Sequence, residues 1–184
     1  MNEQASPEKQ PEKQVTEFSR MVDLRQITDA PLVLEPDEAE RRRLAARFGI
    51  SAIHAMRAQV RLSVDGAIIR ADGRLTAAID QACAISGEDF PVAINEALHL
   101  RFVPETQVEA EPDEEIELSA NDCDDIPYSG LTFDLGEAIA QSLALAIDPF
   151  AEGPLADKAR AEHNLAGDPA SGPFAALSAL QKKD

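Results

Sequence analysis

Tryptophan is missing from this chain, tyrosine occurs once, and seven phenylalanines supply the rest of its aromatic surface. A single-strand reader that stacks bases on aromatic rings is therefore poorly supported by composition. Cysteine occurs only at positions 83 and 123. That excludes a four-cysteine zinc site, and with no export signal in view it argues against a disulfide framework. No uncharged apolar run approaches the ~20 residues that a membrane span needs. The first thirty residues are polar where a secretory signal would carry its apolar stretch. These absences predict a soluble, cytoplasmic protein built as one ordinary domain with tails.

Basic residues are missing from one long stretch. Between Glu105 and Asp125 there are ten acids and no lysine or arginine. The formal charge of −17 divides into −6 over residues 1–40, +3 over 41–101, −14 over 102–152 and zero over 153–184. The mean thus hides a basic middle. A stretch so charged repels itself and stays solvated, which predicts an acidic loop over 104–127. Two roles stay open for it: a flexible loop that aids solubility, or an arm whose Glu109, Glu111, Asp113, Glu114, Glu115 and Glu117 dock on a basic protein or imitate a phosphate chain. Naked nucleic acid is excluded as the partner of such an arm.

Residues 1–15 lack apolar periodicity and read as a disordered tail. Short strands are expected at 18–24 and 32–34. A helix follows, opened by Pro36, with Asp37, Glu38 and Glu40 in its positive first turn, Arg41, Arg42, Arg43 and Arg47 further along, and Gly49 closing it. From Met56 to Val64 apolar and polar residues alternate, the mark of a strand with one wet face. Asp65-Gly66 then reads as a two-residue hairpin turn and Asp72-Gly73 as a second turn. Leu75, Ala77, Ile79 and Cys83 carry a third strand, 86–89 a loop, and Phe90 to Phe102 a fourth. Gln81 and Glu96 fall on the apolar parity, which predicts a bulge or frayed edge near them.

A second main helix begins at Asp134, with Glu137 completing a capping box, and Leu135, Ile139, Leu143 and Ile147 form its buried stripe. The fold class predicted is α+β: an antiparallel meander packed with two main helices over 16–150. Residues 151–184 read as a flexible extension with a short helix over 174–180.

The search for catalytic chemistry fails at the level of spacing. His54, His99 and His163 share no ligand spacing, and no phosphate loop, nucleophile elbow or calcium loop is present. Cys83 reads as a small hydrophobe with nothing nearby to ionise it, and Cys123 among aspartates as a poor nucleophile. No enzyme activity, metal or cofactor is expected.

One constellation does emerge. With those turns, Arg61, Arg70, Arg74 and Arg101 fall opposite one another and cross the sheet in a single row, with Arg57 on the same face. Like charges directly opposite cost roughly 0.2–1 kcal/mol per pair unless an anion lies over them. A merely solvated face is one reading; the others are an anion supplied by the acidic stretch or by RNA phosphate. Arg41, Arg42 and Arg43 would extend the same field.

Three stretches resemble a known bacterial family. Leu44-Ala45-Ala46-Arg47-Phe48-Gly49-Ile50, Cys83-Ala84-Ile85-Ser86-Gly87-Glu88-Asp89-Phe90, and Phe133-Asp134-Leu135-Gly136-Glu137 running on to Leu143-Ala144-Leu145-Ala146 and Pro149 are similar in order and spacing to the YceD family, the large ribosomal RNA subunit accumulation proteins. The ending Pro173-Phe174-Ala175-Ala176-Leu177 is similar too. The resemblance implies a noncatalytic factor for accumulation of large-subunit (23S) ribosomal RNA, by synthesis, processing or protection, with that RNA or its precursor particle as partner; the charge split adds a basic ribosomal protein as a partner for the acidic arm, and no membrane or DNA partner is expected. Many relatives carry a Cys-x-x-Cys pair at the strand-turn. Here Cys83 matches its first place and Ser86 stands in the second. The alternative is an acidic adaptor or chaperone for a basic protein, without RNA contact.

Overall fold

The computed structural model describes residues 17–105 and 125–163. The expected tail, the interior of the acidic stretch with its six candidate carboxylates Glu109 to Glu117, Cys123 and the terminal helix lie outside these residues. In chain order the elements are β1 (Met21–Asp23), a 3-10 turn (Leu24–Gln26), β2 (Leu32–Leu34), α1 (Glu38–Phe48), β3 (Ala52–Asp65), β4 (Ile68–Ala82), β5 (Asp89–Pro104), β6 (Asp125–Tyr128), β7 (Thr132–Asp134), α2 (Leu135–Ala146) and α3 (Ala156–Glu162). Five strands form one sheet in the order β2-β3-β4-β5-β6, and β1 pairs with β7 in a small second sheet.

The long strands depart from the expected meander in two ways. Asp72-Gly73 makes no turn: β4 runs straight through it, with Gly73 beside Val60 on one neighbour and Leu98 on the other. A Cβ at Gly73 would lie 2.0 Å from the Gln59 carbonyl oxygen, so glycine is there to let two strands approach. Secondly, β6 pairs with β5 in parallel. Adjacent parallel strands cannot be joined by a tight turn. The acidic stretch is that crossover connection, and its last residue, Asp125, belongs to the sheet. The expected irregularity also moves: the register shift lies between Ile53 and Ala55, while Gln81 is buried and donates to the Asp148 carbonyl at 2.9 Å.

One face of the sheet carries the core. Val60, Ile69, Leu75 and Phe102 from the strands meet Leu44 of α1 and Leu135, Ile139 and Leu143 of α2, all essentially without solvent exposure. Burial of each such side chain contributes about 1.5–3 kcal/mol. The lone tyrosine, Tyr128, is buried with its hydroxyl donating to the Ala67 carbonyl at 2.7 Å, which ties β6 to the β3–β4 turn.

α1 starts later than expected: Pro36 lies outside it, and Asp37, expected in the first turn, is its N-cap and forms a reciprocal box with Glu40, while Gly49 closes the helix in the left-handed region as expected. At α2 Asp134 accepts from the Glu137 amide at 3.1 Å, but the Glu137 carboxylate turns away to Arg47 instead of completing a box. Both terminal nitrogens of Arg47 donate to it, at 2.9 and 2.7 Å, joining the end of α1 to the start of α2. This hydrogen bond holds the Glu137 carboxyl below the usual carboxylate range. A carboxyl so lowered stabilises the fold when ionised, and the contribution fades as pH falls through its folded value. Glu137→Gln should therefore cost about 1–2 kcal/mol in urea melts at neutral pH and progressively less in acid.

Candidate nucleic-acid interface

The opposite face of the sheet is open and polar. Its rows follow from the register: Ser63, Arg70, Arg101 and Asp125 lie side by side; then Arg61, Asp72 and His99; then Gln59, Arg74 and Ala97; then Arg57, Thr76 and Asn95. All five arginines predicted for this face are on it, but the single row is not. The hairpin turn sits at Gly66-Ala67, with Asp65 opposite Ile68, so Arg61 faces Asp72 and not Arg70. Because β4 does not turn at Gly73, Arg70 and Arg74 share a strand, and Arg101 faces Arg70 and not Arg74. The arginines are staggered, with diagonal neighbours such as Arg61 and Arg70, or Arg61 and Arg74, roughly 7–8 Å apart at the backbone.

Carboxylates are interleaved with them. Arg57 binds Glu35 at 2.5 Å, Arg101 binds Asp125 at 2.8 Å, and Arg70 lies 3.6 Å from Asp65. Asp72 is taken by His99 at 2.9 Å. Among the described residues Arg61 forms no ion pair, and Arg74 donates only to the neutral Asn95 side chain at 2.5 Å. These two are the cations with charge left to offer. The Arg70 pair, more than half exposed on both sides, is worth little in water and yields readily to a phosphate.

The basic residues of α1 do not extend this field as a unit. α1 packs its Leu44 and Ala45 into the core, on the other side of the sheet. Arg42 is taken by Glu38 at 2.6 Å and Arg43 reaches the Glu17 carbonyl at 3.4 Å. Arg41 alone comes near the arginine face, bordering a cleft shared with Glu35, His54 and Arg57. The histidines stay apart as expected: His54 sits on Asp80 at 2.7 Å, His99 on Asp72, and His163 caps the end of α3.

A face of staggered arginines interleaved with carboxylates, and without any tryptophan, tyrosine or phenylalanine, suits a phosphate backbone better than bases. The family described as "Large ribosomal RNA subunit accumulation protein YceD" matches residues 71–181, more than half of the chain. The chain belongs to the YceD family. No curated protein and no solved structure matches it. The YceD match takes in Arg74, Arg101 and the turn after β4, and begins beyond Arg57, Arg61, Arg70 and the α1 stretch 44–50. Among the described residues no helix is long and apolar enough to cross a membrane, and no group of three or more His, Cys, Asp and Glu side chains is placed to hold a metal ion.

The strand-turn after β4 corrects one expectation. Cys83 is buried just past β4, and its sulfur accepts from the backbone amides of Ile85 and Ser86, each at 3.4 Å. With the Ser86 hydroxyl the leading cause and these amides adding to it, the thiol is lowered to about 7. The turn itself therefore favours the thiolate, of which the residue types alone carried no sign. The thiolate's contribution to stability is full above the ordinary thiol value of 9.0, and is lost as pH falls through about 7. In a Cys123→Ser background, the ultraviolet absorbance of the remaining thiolate should titrate near neutrality, and Ser86→Ala should move that midpoint upward. An unmoved midpoint would show that Ser86 does not hold the thiolate.

Proposed function

We propose that this chain is a noncatalytic cytoplasmic factor that supports accumulation of large-subunit (23S) ribosomal RNA, and that it meets that RNA or its precursor particle through the open β-face. The reading rests above all on one observation: Arg57, Arg61, Arg70, Arg74 and Arg101 share a solvent-exposed face in a chain of net charge −17. In a molecule so acidic, a concentration of guanidinium groups on one surface gives a phosphate chain a favourable approach. With no tryptophan, tyrosine or phenylalanine on that face, binding is mainly electrostatic and nearly indifferent to sequence. The acidic crossover remains free, in this reading, to engage a basic ribosomal protein.

The test is made in cells. Deletion should lower 23S RNA relative to small-subunit RNA, and the protein should sediment with large-subunit or precursor particles. Normal 23S levels together with absence from every such fraction would reject the proposal. A second reading, an acidic adaptor without RNA contact, is favoured by the Arg57–Glu35 and Arg101–Asp125 pairs, which already occupy two of the arginines.

A further inference from the structure

β5 is a long strand with a short partner. β4 covers it from Asp89 to Phe102 on one side, whereas β6 covers only Arg101 to Pro104 on the other. From Glu96 to Leu100 the outer backbone edge has no strand partner among the described residues, and it opens into a groove of about 770 Å³ walled by α2. The groove is floored by Leu98, Leu100 and Ile126, and on its wall Leu145 is 88% exposed. An unpaired strand edge beside a helix wall that sets Ala138, Leu145 and Ala146 among Gln141 and Ser142 is a template for an added strand. The misfit noted in the sequence belongs here as well: Glu96, on the apolar parity of β5, stands exposed in this groove.

We propose that this groove binds an extended segment of a basic partner protein, added as a strand along Glu96–Leu100. Its apolar side chains would lie on Leu98, Leu100 and the Leu145 wall, and a lysine or arginine would reach Glu96. The occupant is argued from charge. The groove lining holds no lysine or arginine; of its two carboxylates Asp125 is already bound by Arg101, and Glu96 forms no ion pair among the described residues. The chain's own crossover, ten acids without a base between Glu105 and Asp125, carries the wrong sign to lie beside Glu96. A second copy, also at −17, is disfavoured for the same reason. The inference does not depend on the arginine face binding RNA.

The experiment uses the full chain and a synthetic peptide alternating lysine and valine, about six residues long, followed by amide hydrogen exchange in NMR spectra. The peptide should slow exchange of the outward-facing amides between Glu96 and Leu100 by roughly tenfold or more. A glutamate–valine peptide should not, and Glu96→Lys and Leu145→Lys, both at exposed positions, should each abolish the effect. The proposal is overturned by unchanged exchange at saturating lysine–valine peptide. It is equally overturned if those amides are already protected without peptide, dilution then telling a second copy from the chain's own crossover, or if an RNA oligonucleotide protects them in the peptide's place.

Discussion

Gly73→Val should leave little folded protein, and Gly73→Ala should melt far below the natural chain. The cause is steric. A Cβ at this position meets the Gln59 carbonyl oxygen at 2.0 Å and the Val60 Cα at 2.7 Å, both backbone atoms of β3. Neither can swing aside as a side chain would. Relief requires parting β3 from β4 in the middle of a ladder that runs from Ala52–Asp80 to Asp65–Ile68. Overpacking of softer sites costs about 1–3 kcal/mol, and a backbone clash in the central strand pair should reach or exceed the top of that range. Domains of this size hold only about 5–15 kcal/mol in all. Gly87→Ala is the control: its φ is 72° but nothing lies within 4 Å, so it should cost only about 1–2 kcal/mol. Urea melts compare the two. A Gly73→Ala protein as stable as Gly87→Ala would mean that the strands do not approach this closely.

The second large effect concerns the arginine face. If Arg61 and Arg74 each hold one phosphate of single-stranded RNA, their joint replacement by alanine should reduce the salt slope of binding by about 1.4 and weaken binding roughly 25-fold near 0.1 M salt. Asp72→Asn should act the other way and tighten binding, because it removes the carboxylate that faces Arg61 across the strands. Anisotropy of a labelled 23S RNA fragment across a salt series reads both. Arg101 is the wrong residue for this test. Its partner Asp125 has a side chain only 15% exposed, and stranding that carboxylate would destabilise β6 by about 1–3 kcal/mol. An unchanged slope in Arg61→Ala/Arg74→Ala, with no tightening in Asp72→Asn, would favour the adaptor reading.

What was legible in the sequence was local. The stop at Gly49 and the cap at Asp134 act within a few residues of their targets, so both main helices could be placed from residue type alone. The turn expected at Asp72-Gly73, and absent from the structure, illustrates the limit of such reasoning. Those residues are ideal turn formers, yet the pairing of β4 with strands on both sides outweighs their local preference. The Cys83 environment was hidden similarly: amides at 85 and 86 point at the sulfur only once the chain has turned there.

Alternation by itself determined which side chains share a surface: a strand's period of two depends on nothing beyond the strand, so Arg57, Arg61, Arg70, Arg74 and Arg101 were destined for the wet face whatever their partners. Tertiary structure alone decided who stands beside whom. Shifting a hairpin turn by one residue moves every cross-strand pair by two positions, which preserves the face and exchanges the neighbours. The parallel docking of β6, and with it the arrival of Asp125 at Arg101 and the open edge of β5, depends on a partner distant in the chain, and no local pattern encodes that choice.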